Sequence, residues 1–151
     1  RTTGVILFVI AAAATFGWLL AYLQVPAATV AALKSVADSP TTVLLLMVLA
    51  LLILGTFMDM APMIIICTPI FLPVAQAYGI SPVHFGVVLI LTAGIGLITP
   101  PVGSVLFVGA GIGQISVGQT LRSIWPFYLA ALTVLLLVVL LPPLSLWLPG
   151  L

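Results

Sequence analysis

The chain has 151 residues, of which 64% are hydrophobic and 3% charged, and its formal net charge at pH 7 is +1. Because soluble domains carry about 25% charged residues, this composition excludes a soluble domain and indicates an integral membrane protein. Nothing in the charge favours a nucleic-acid partner, and one cysteine, Cys67 in an apolar run, excludes an internal disulfide and predicts a buried thiol. Because the chain begins at Arg1, we expect a fragment of a longer protein.

The first part of the chain predicts a membrane span and a short helix. Gly4 to Leu23 is an apolar run of 20 residues, which is long enough to cross the hydrocarbon core. Trp18 and Tyr22 lie near its end, where aromatic residues mark a membrane interface. Pro26 to Ala37 then predicts an amphipathic helical arm that lies at the interface.

The next segment predicts a helical hairpin that enters the membrane without crossing it. A helix from Val43 to Phe57 would be only about 22 Å long, whereas the hydrocarbon core is about 30 Å thick. The stretch Gly55–Pro62 then interrupts the apolar pattern, and a second apolar run follows from Met63 to Ala75. A re-entrant hairpin with its tip at Gly55–Pro62 therefore fits better than a straight crossing.

The following helix is interrupted. Val83 to Leu97 is apolar, and residues 98–103 then read Ile-Thr-Pro-Pro-Val-Gly. Pro100 and Pro101 cannot continue a helix, because each lacks an N–H group and the second disfavours helical geometry at the first. Ser104 to Ile112 predicts a short second half, so the two halves form one discontinuous crossing. Transporters use open backbone of this kind to bind ions and substrates.

The end of the chain predicts a connector and a final span. Gln114 to Arg122 is polar and predicts a connector, and Ser123 to Leu148 predicts the last membrane helix. The positive-inside rule places Arg122 in the cytoplasm. Arg122 falls on the same side of the membrane whether the hairpin is re-entrant or makes two full crossings. The charge argument therefore does not test the re-entrant interpretation.

The break at Gly94–Ser104 is the first candidate site. Helix ends expose carbonyl and N–H groups, which hold a cation and an anion respectively. Thr92, Thr99 and Ser104 add hydroxyl oxygens, and carbonyls with hydroxyls suit sodium without a formal charge. The alternative is a proline kink with close packing at small residues, as in many membrane helices. Spacing alone leaves both interpretations open.

Asp59 is the second candidate. A carboxylate inside a membrane is costly and indicates function by default. The alternative is that the hairpin tip reaches water, where Asp59 caps a helix starting at Met60. Both interpretations hold if the tip lies in a water-filled cavity.

His84 lacks the partners of a metal site, which favours interfacial anchoring or a hydrogen bond in the first turn, and no clustered catalytic groups indicate an enzyme.

Four motifs in order resemble one family. They are Gly-Thr-Phe-Met-Asp at 55–59, Thr-Pro-Ile-Phe-Leu-Pro at 68–73, Ser-Pro-Val-His-Phe-Gly at 81–86, and Gly-Leu-Ile-Thr-Pro-Pro-Val-Gly at 96–103. The ordered set resembles the large membrane subunit of TRAP transporters, which are tripartite, ATP-independent, sodium-coupled importers. The similarity covers the whole chain, is strongest from Gly55 to Gly113, and matches the C-terminal part of that subunit, a second inverted repeat.

The resemblance implies an all-α integral membrane fold that forms half of an elevator-type transporter, with a re-entrant helical hairpin and a discontinuous helix. Residues 1–39 would be a scaffold-type helix and arm. Residues 40–113 would be the transport-domain hairpin and broken helix, and residues 114–151 the connector and final helix.

The resemblance also implies function. The complete protein would import an organic acid, such as a C4-dicarboxylate or a sugar acid, across the bacterial inner membrane. Its partners would be a small membrane subunit and a periplasmic substrate-binding protein, with Na⁺ as the coupling ion and no other cofactor. The alternatives are a related anion/sodium symporter without a binding protein and a membrane module without a coupling ion.

The resemblance also implies a set of contacts. The positions that match sodium and substrate contacts are Gly55, Asp59, Gly96, Thr99, Pro100, Pro101 and Gly103, to which the hydroxyls of Thr92 and Ser104 are added. Many members carry asparagine near Thr92 and Val105, so side-chain contacts are expected to differ at these two positions.

Overall fold

The computed structural model describes residues 2–34, 37, 39–100 and 103–147, and the elements in these ranges are all helices. In chain order they are α1 (Thr2–Tyr22), α2 (Val25–Lys34), α3 (Pro40–Gly55), α4 (Met60–Ala77), α5 (Pro82–Leu97), α6 (Ser104–Gly113), α7 (Val117–Leu140) and α8 (Pro143–Leu146). The all-α prediction is confirmed for this part of the chain.

The helix α3 begins three residues before the predicted start, at Pro40. The hydroxyl of Ser39 accepts a hydrogen bond from the backbone N–H of Thr42 at 3.1 Å and caps the helix. A proline in the first turn loses no hydrogen bond, because the first N–H groups of a helix have no partner within it. Capping residues therefore extend the helix beyond its apolar run.

The helix α4 runs without interruption through Pro69 and Pro73. It packs against α1, where a side chain on Gly17 would come within 3.7 Å of the Pro69 ring. Cys67 on α4 is buried, as the sequence predicts. Two prolines on one helix therefore do not end it, whereas the adjacent pair at 100–101 follows the end of α5.

The predicted connector at Gln114–Arg122 is wrong from Val117 onward. The helix α7 already begins at Val117, because the Ser116 hydroxyl accepts from the Gln119 N–H at 3.3 Å and the Gln119 side-chain oxygen accepts from the Ser116 N–H at 3.0 Å. This reciprocal capping box starts a helix in polar sequence. The predicted final helix also ends too late, since α7 stops at Leu140 before two prolines and α8 is a separate turn.

The core lies where α3, α4, α5 and α7 meet. Its largest fully buried side chains include Val43, Met47, Leu51, Met63, Phe85, Val88 and Leu135. The helices α3 and α5 run in parallel. Thr41 and His84 line one cavity at their amino ends, and Gly55 and Gly96 meet at their carboxyl ends. The parallel pair therefore brings two helix carboxyl ends to the same point.

Two helices in the described part of the chain, α4 and α7, are long and apolar enough to cross a membrane. The helices α3 and α5 are apolar but shorter. At about 1.5 Å per residue, α5 is about 24 Å long and α6 about 15 Å. Neither helix is long enough to span the hydrocarbon core of about 30 Å. This agrees with the prediction that the two halves form one discontinuous crossing.

Candidate functional site

The carboxyl ends of α3 and α5 touch through two glycines. A Cβ atom added to Gly96 would lie 2.8 Å from the Cα of Gly55 and 2.9 Å from its carbonyl carbon and oxygen. A Cβ atom added to Gly55 would lie 3.2 Å from the Cα of Gly96. Both residues are buried, so only glycine allows this approach of two backbones. The structure therefore brings together two of the predicted contact positions.

The break itself folds tightly over the end of α5. The helix ends with hydrogen bonds from the Ile98 N–H to the Ile95 carbonyl at 3.2 Å and from the Thr99 N–H to the Gly96 carbonyl at 3.0 Å. Gly103 is buried and has a φ of 21°. A Cβ atom there would lie 3.0 Å from the Thr99 carbonyl oxygen and 3.2 Å from that of Leu97. The start of α6 thus lies directly against the end of α5.

The local field at this site comes from the helix ends. The carboxyl ends of α3 and α5 carry partial negative charge, and they converge at the glycine contact. The amino ends of α4 and α6 carry partial positive charge, and each follows one of these ends after a short loop. The backbone therefore supplies carbonyl groups at two helix ends and N–H groups at two others, and these groups can attract a cation and an anion without a charged side chain.

Thr99 places a hydroxyl at the break. Its Oγ1 donates to the Ile95 carbonyl at 2.6 Å and lies 3.4 Å from the Tyr128 hydroxyl on α7. Thr99 is half-buried. Its oxygen can accept a further hydrogen bond or coordinate a cation, because a hydroxyl oxygen has two lone pairs.

Sequence reasoning missed Tyr128. A cavity of about 310 Å³ lies between the break and α7. It is lined by Ile98, Thr99, Pro100, Leu121, Ile124, Trp125 and Tyr128. The rings of Trp125 and Tyr128 stack with centroids 5.9 Å apart. The sequence pattern treats Trp125 only as an interface anchor, and the signal that was available is the aromatic pair three residues apart on one helix face.

Thr92 lies away from the break. It is fully buried within α5, and its hydroxyl donates to the Val88 carbonyl of the same helix at 2.7 Å. Thr92 and Thr99 are seven residues apart, which is about 10 Å along a helix. Thr92 therefore packs in the core beside the site.

Asp59 lies at the hairpin tip, where it is exposed. It caps α4, and its Oδ1 accepts from the Met60 N–H at 3.0 Å. Capping and exposure are the features that the water-facing interpretation predicts.

Three further predicted positions belong to the break. Pro100 is exposed and lines the cavity beside α7. Pro101 lies outside the residues that the structure describes, and Ser104 begins α6 but its side chain is not described. Their predicted contacts stay predictions.

His84 lies at the opposite end of α5 from the break. It is 3% exposed, and its Nδ1 is 2.6 Å from the hydroxyl of Ser145 in α8. The Ser145 hydroxyl also donates to the Pro142 carbonyl at 3.0 Å. Among the described residues, no group of three or more histidine, cysteine or acidic side chains could hold a metal ion. His84 therefore joins α5 to α8.

Comparison with known proteins places this arrangement in a family. The DctM component of the tripartite ATP-independent periplasmic transporters matches residues 1–144. The chain is 38% identical over 151 residues to the sialic acid TRAP transporter large permease protein of Vibrio cholerae, covering 100% of this chain and 35% of that protein. It is 37% identical over 150 residues to the C4-dicarboxylate TRAP transporter large permease protein of Pseudomonas aeruginosa, covering 99% and 35%.

A further relative gives the same result. The 2,3-diketo-L-gulonate TRAP transporter large permease protein of Escherichia coli is 35% identical over 144 residues, which cover 95% of this chain and 34% of that protein. The chain thus spans about a third of the length of the curated relatives it matches. The resemblance seen in the sequence is confirmed, and the relatives are transport proteins rather than enzymes. The chain belongs to the DctM family of TRAP transporter large permease components.

Proposed function

We propose that the chain is part of the large membrane subunit of a sodium-coupled TRAP transporter that imports an organic acid. Membership of the DctM family supports the transport role. The names of three relatives specify sialic acid, a C4-dicarboxylate and 2,3-diketo-L-gulonate, which all contain a carboxylate. The observation that carries the proposal is the convergence of the α3 and α5 carboxyl ends at Gly55 and Gly96, beside the break.

Sodium is proposed to bind at these carboxyl ends. Backbone carbonyls and the Thr99 hydroxyl would replace the water around the ion, and the ion would neutralise the negative ends of two helix dipoles. Its binding would order the loop between α5 and α6. The ordered loop would direct the N–H groups at the amino ends of α4 and α6 toward the substrate carboxylate. Because each ligand stabilises the site of the other, their binding would be reciprocal.

The α3–α4 pair is proposed to be a re-entrant hairpin. Its tip lies level with the break, since Gly55 touches Gly96. Tyr128 of α7 contacts the same level, and α7 extends 11 further residues to Val117, which is about 16 Å. These positions support a hairpin that ends inside the depth spanned by α7. In an elevator-type cycle, the hairpin and the broken helix would move against a scaffold that includes α1 and α2.

The complete transporter is proposed to lie in the bacterial inner membrane with a small membrane subunit and a periplasmic substrate-binding protein. The chain covers about a third of its relatives, so the remainder of the large subunit would supply the other half of the site. Open backbone at membrane depth must be covered by protein or line a cavity. We therefore do not expect this segment to transport alone.

Uptake by the reconstituted complex tests the proposal. The full-length large subunit, the small subunit and the binding protein would be placed in proteoliposomes with radiolabelled C4-dicarboxylate, sialic acid or 2,3-diketo-L-gulonate. We expect uptake of at least one of these acids only with an inward sodium gradient and with the binding protein present. Uptake that persists in potassium would contradict sodium coupling, and undiminished uptake without the binding protein would indicate a symporter of another class.

A further inference from the structure

A tyrosine on α7 contacts the break at Thr99, separately from the contact between Gly55 and Gly96. The Tyr128 hydroxyl lies 3.4 Å from the Thr99 hydroxyl, and both side chains are half-buried. The nearer acceptor of the Thr99 hydroxyl is the Ile95 carbonyl, at 2.6 Å. The Thr99 hydroxyl is also the donor in the contact with Tyr128, whose oxygen accepts as a second and more distant partner of the same proton. Both contacts lie on the proton side of the Thr99 oxygen, so they orient the hydroxyl and leave its lone pairs for a ligand.

The position of Tyr128 is itself fixed by its own helix. Its ring stacks on that of Trp125 with an interplanar angle of 17°. Leu121 and Ile124 form the remaining α7 wall of the cavity between this helix and the break. Further along α7, Leu135 and Val139 are buried in the core. The phenol therefore belongs to a helix whose later part is anchored in the core, and it lies across the cavity from the end of α5.

We propose that Tyr128 is a positioning residue that orients the Thr99 oxygen for sodium at the break, a role that rests on the function proposed above. Without the Tyr128 hydroxyl, Thr99 keeps its bond to Ile95 but loses the contact that ties it to α7. The Thr99 oxygen is then less restrained before the ion binds, so binding has to order it as well as the loop. Sodium affinity falls, whereas the packing of the aromatic ring is kept.

The variant Tyr128→Phe tests this role in the reconstituted full-length complex. We expect the sodium concentration for half-maximal uptake to rise by about threefold to tenfold, as for the loss of one hydrogen bond, with the maximal rate largely unchanged. Tyr78→Phe is the matched control. It removes a phenolic hydroxyl that donates to the Ala37 carbonyl at 3.3 Å, on the side of the molecule away from the break, and should leave sodium dependence unchanged.

A double-mutant cycle separates positioning from a general structural effect. The Tyr128→Phe effect should persist with Thr99→Ser, which keeps a hydroxyl, and disappear with Thr99→Val, which removes it. If wild-type uptake depends on sodium but Tyr128→Phe leaves that dependence unaltered, this inference alone is overturned. The same holds if Tyr128→Phe shifts the sodium dependence equally in the Thr99→Val background. A wild type indifferent to sodium would overturn the sodium coupling proposed above and, with it, this role.

Discussion

The two ends of α5 are built in different ways. At the amino end, the His84 side chain bonds to Ser145 and lies buried against α8. At the carboxyl end, the backbone itself makes the contacts, because Gly96 touches Gly55 and Gly103 folds back over Thr99. Side chains thus close one end of the helix, while glycines allow the backbone of the other end to meet its neighbours. Side-chain packing and backbone contact are therefore separated along one helix, and the proposed sodium site lies at the end where backbones meet.

The largest expected effect is at Gly96. In Gly96→Val, the new side chain would overlap the backbone of Gly55, which cannot move aside as a flexible side chain can. We expect a loss of more than about 3 kcal/mol in the free energy of unfolding, at the upper end for overpacked cores, and no uptake. Thermal unfolding of the detergent-solubilised full-length protein and proteoliposome uptake measure the two effects.

Gly94→Ala is the matched control for Gly96. Gly94 is exposed on the same helix, and a Cβ atom there meets nothing within 4 Å. Replacing a helical glycine by alanine should raise stability by about 0.5–1 kcal/mol. If Gly96→Val behaved like Gly94→Ala, the close contact between α3 and α5 would be wrong.

The second effect is at Gly103, where Ala would be strained by the φ of 21° and would crowd the carbonyl oxygens of Thr99 and Leu97. A left-handed conformation costs a non-glycine residue about 1–2 kcal/mol. We expect uptake in Gly103→Ala to fall by about tenfold, which corresponds to about 1.4 kcal/mol. Gly111→Ala in α6 is the control, since a Cβ atom there meets nothing within 4 Å, and its uptake should equal that of the wild type.

The smallest effect on sodium-dependent uptake is expected at the other end of α5. Ser145→Ala removes the partner of the buried His84 nitrogen and should lower the free energy of unfolding by about 1–2 kcal/mol. The sodium concentration for half-maximal uptake should not change, because the break is at the opposite end of the helix. Ser123→Ala, which removes an exposed hydroxyl from α7, is the control. A shift in sodium dependence with Ser145→Ala would contradict the separation of the two ends.

The order of the helices was predictable from local sequence, because apolar runs and the proline pair act over a few residues. The interrupted helix is the clearest case, since the chemistry of Pro100 and Pro101 alone ends α5. The polar first turn of α7 was predicted as part of a connector, because its composition outweighed the capping signal of Ser116 and Gln119.

The partners within the candidate site were less predictable. Gly55 and Gly96 could be named as candidates from sequence, but only the parallel packing of α3 and α5 shows that they touch. Tyr128 was missed because its contact with Thr99 joins residues that are 29 positions apart. Such contacts depend on how helices pack, which local periodicity does not determine.

Hydrogen exchange in the full-length transporter tests the proposal that sodium orders the break. Exchange of backbone amides would be compared in sodium and in potassium at equal ionic strength. We expect slower exchange in sodium at residues 55–62 and 96–104, with no change at residues 79–84 around the amino end of α5. Equal exchange in the two salts at the break, or equal protection at both ends of α5, would contradict it.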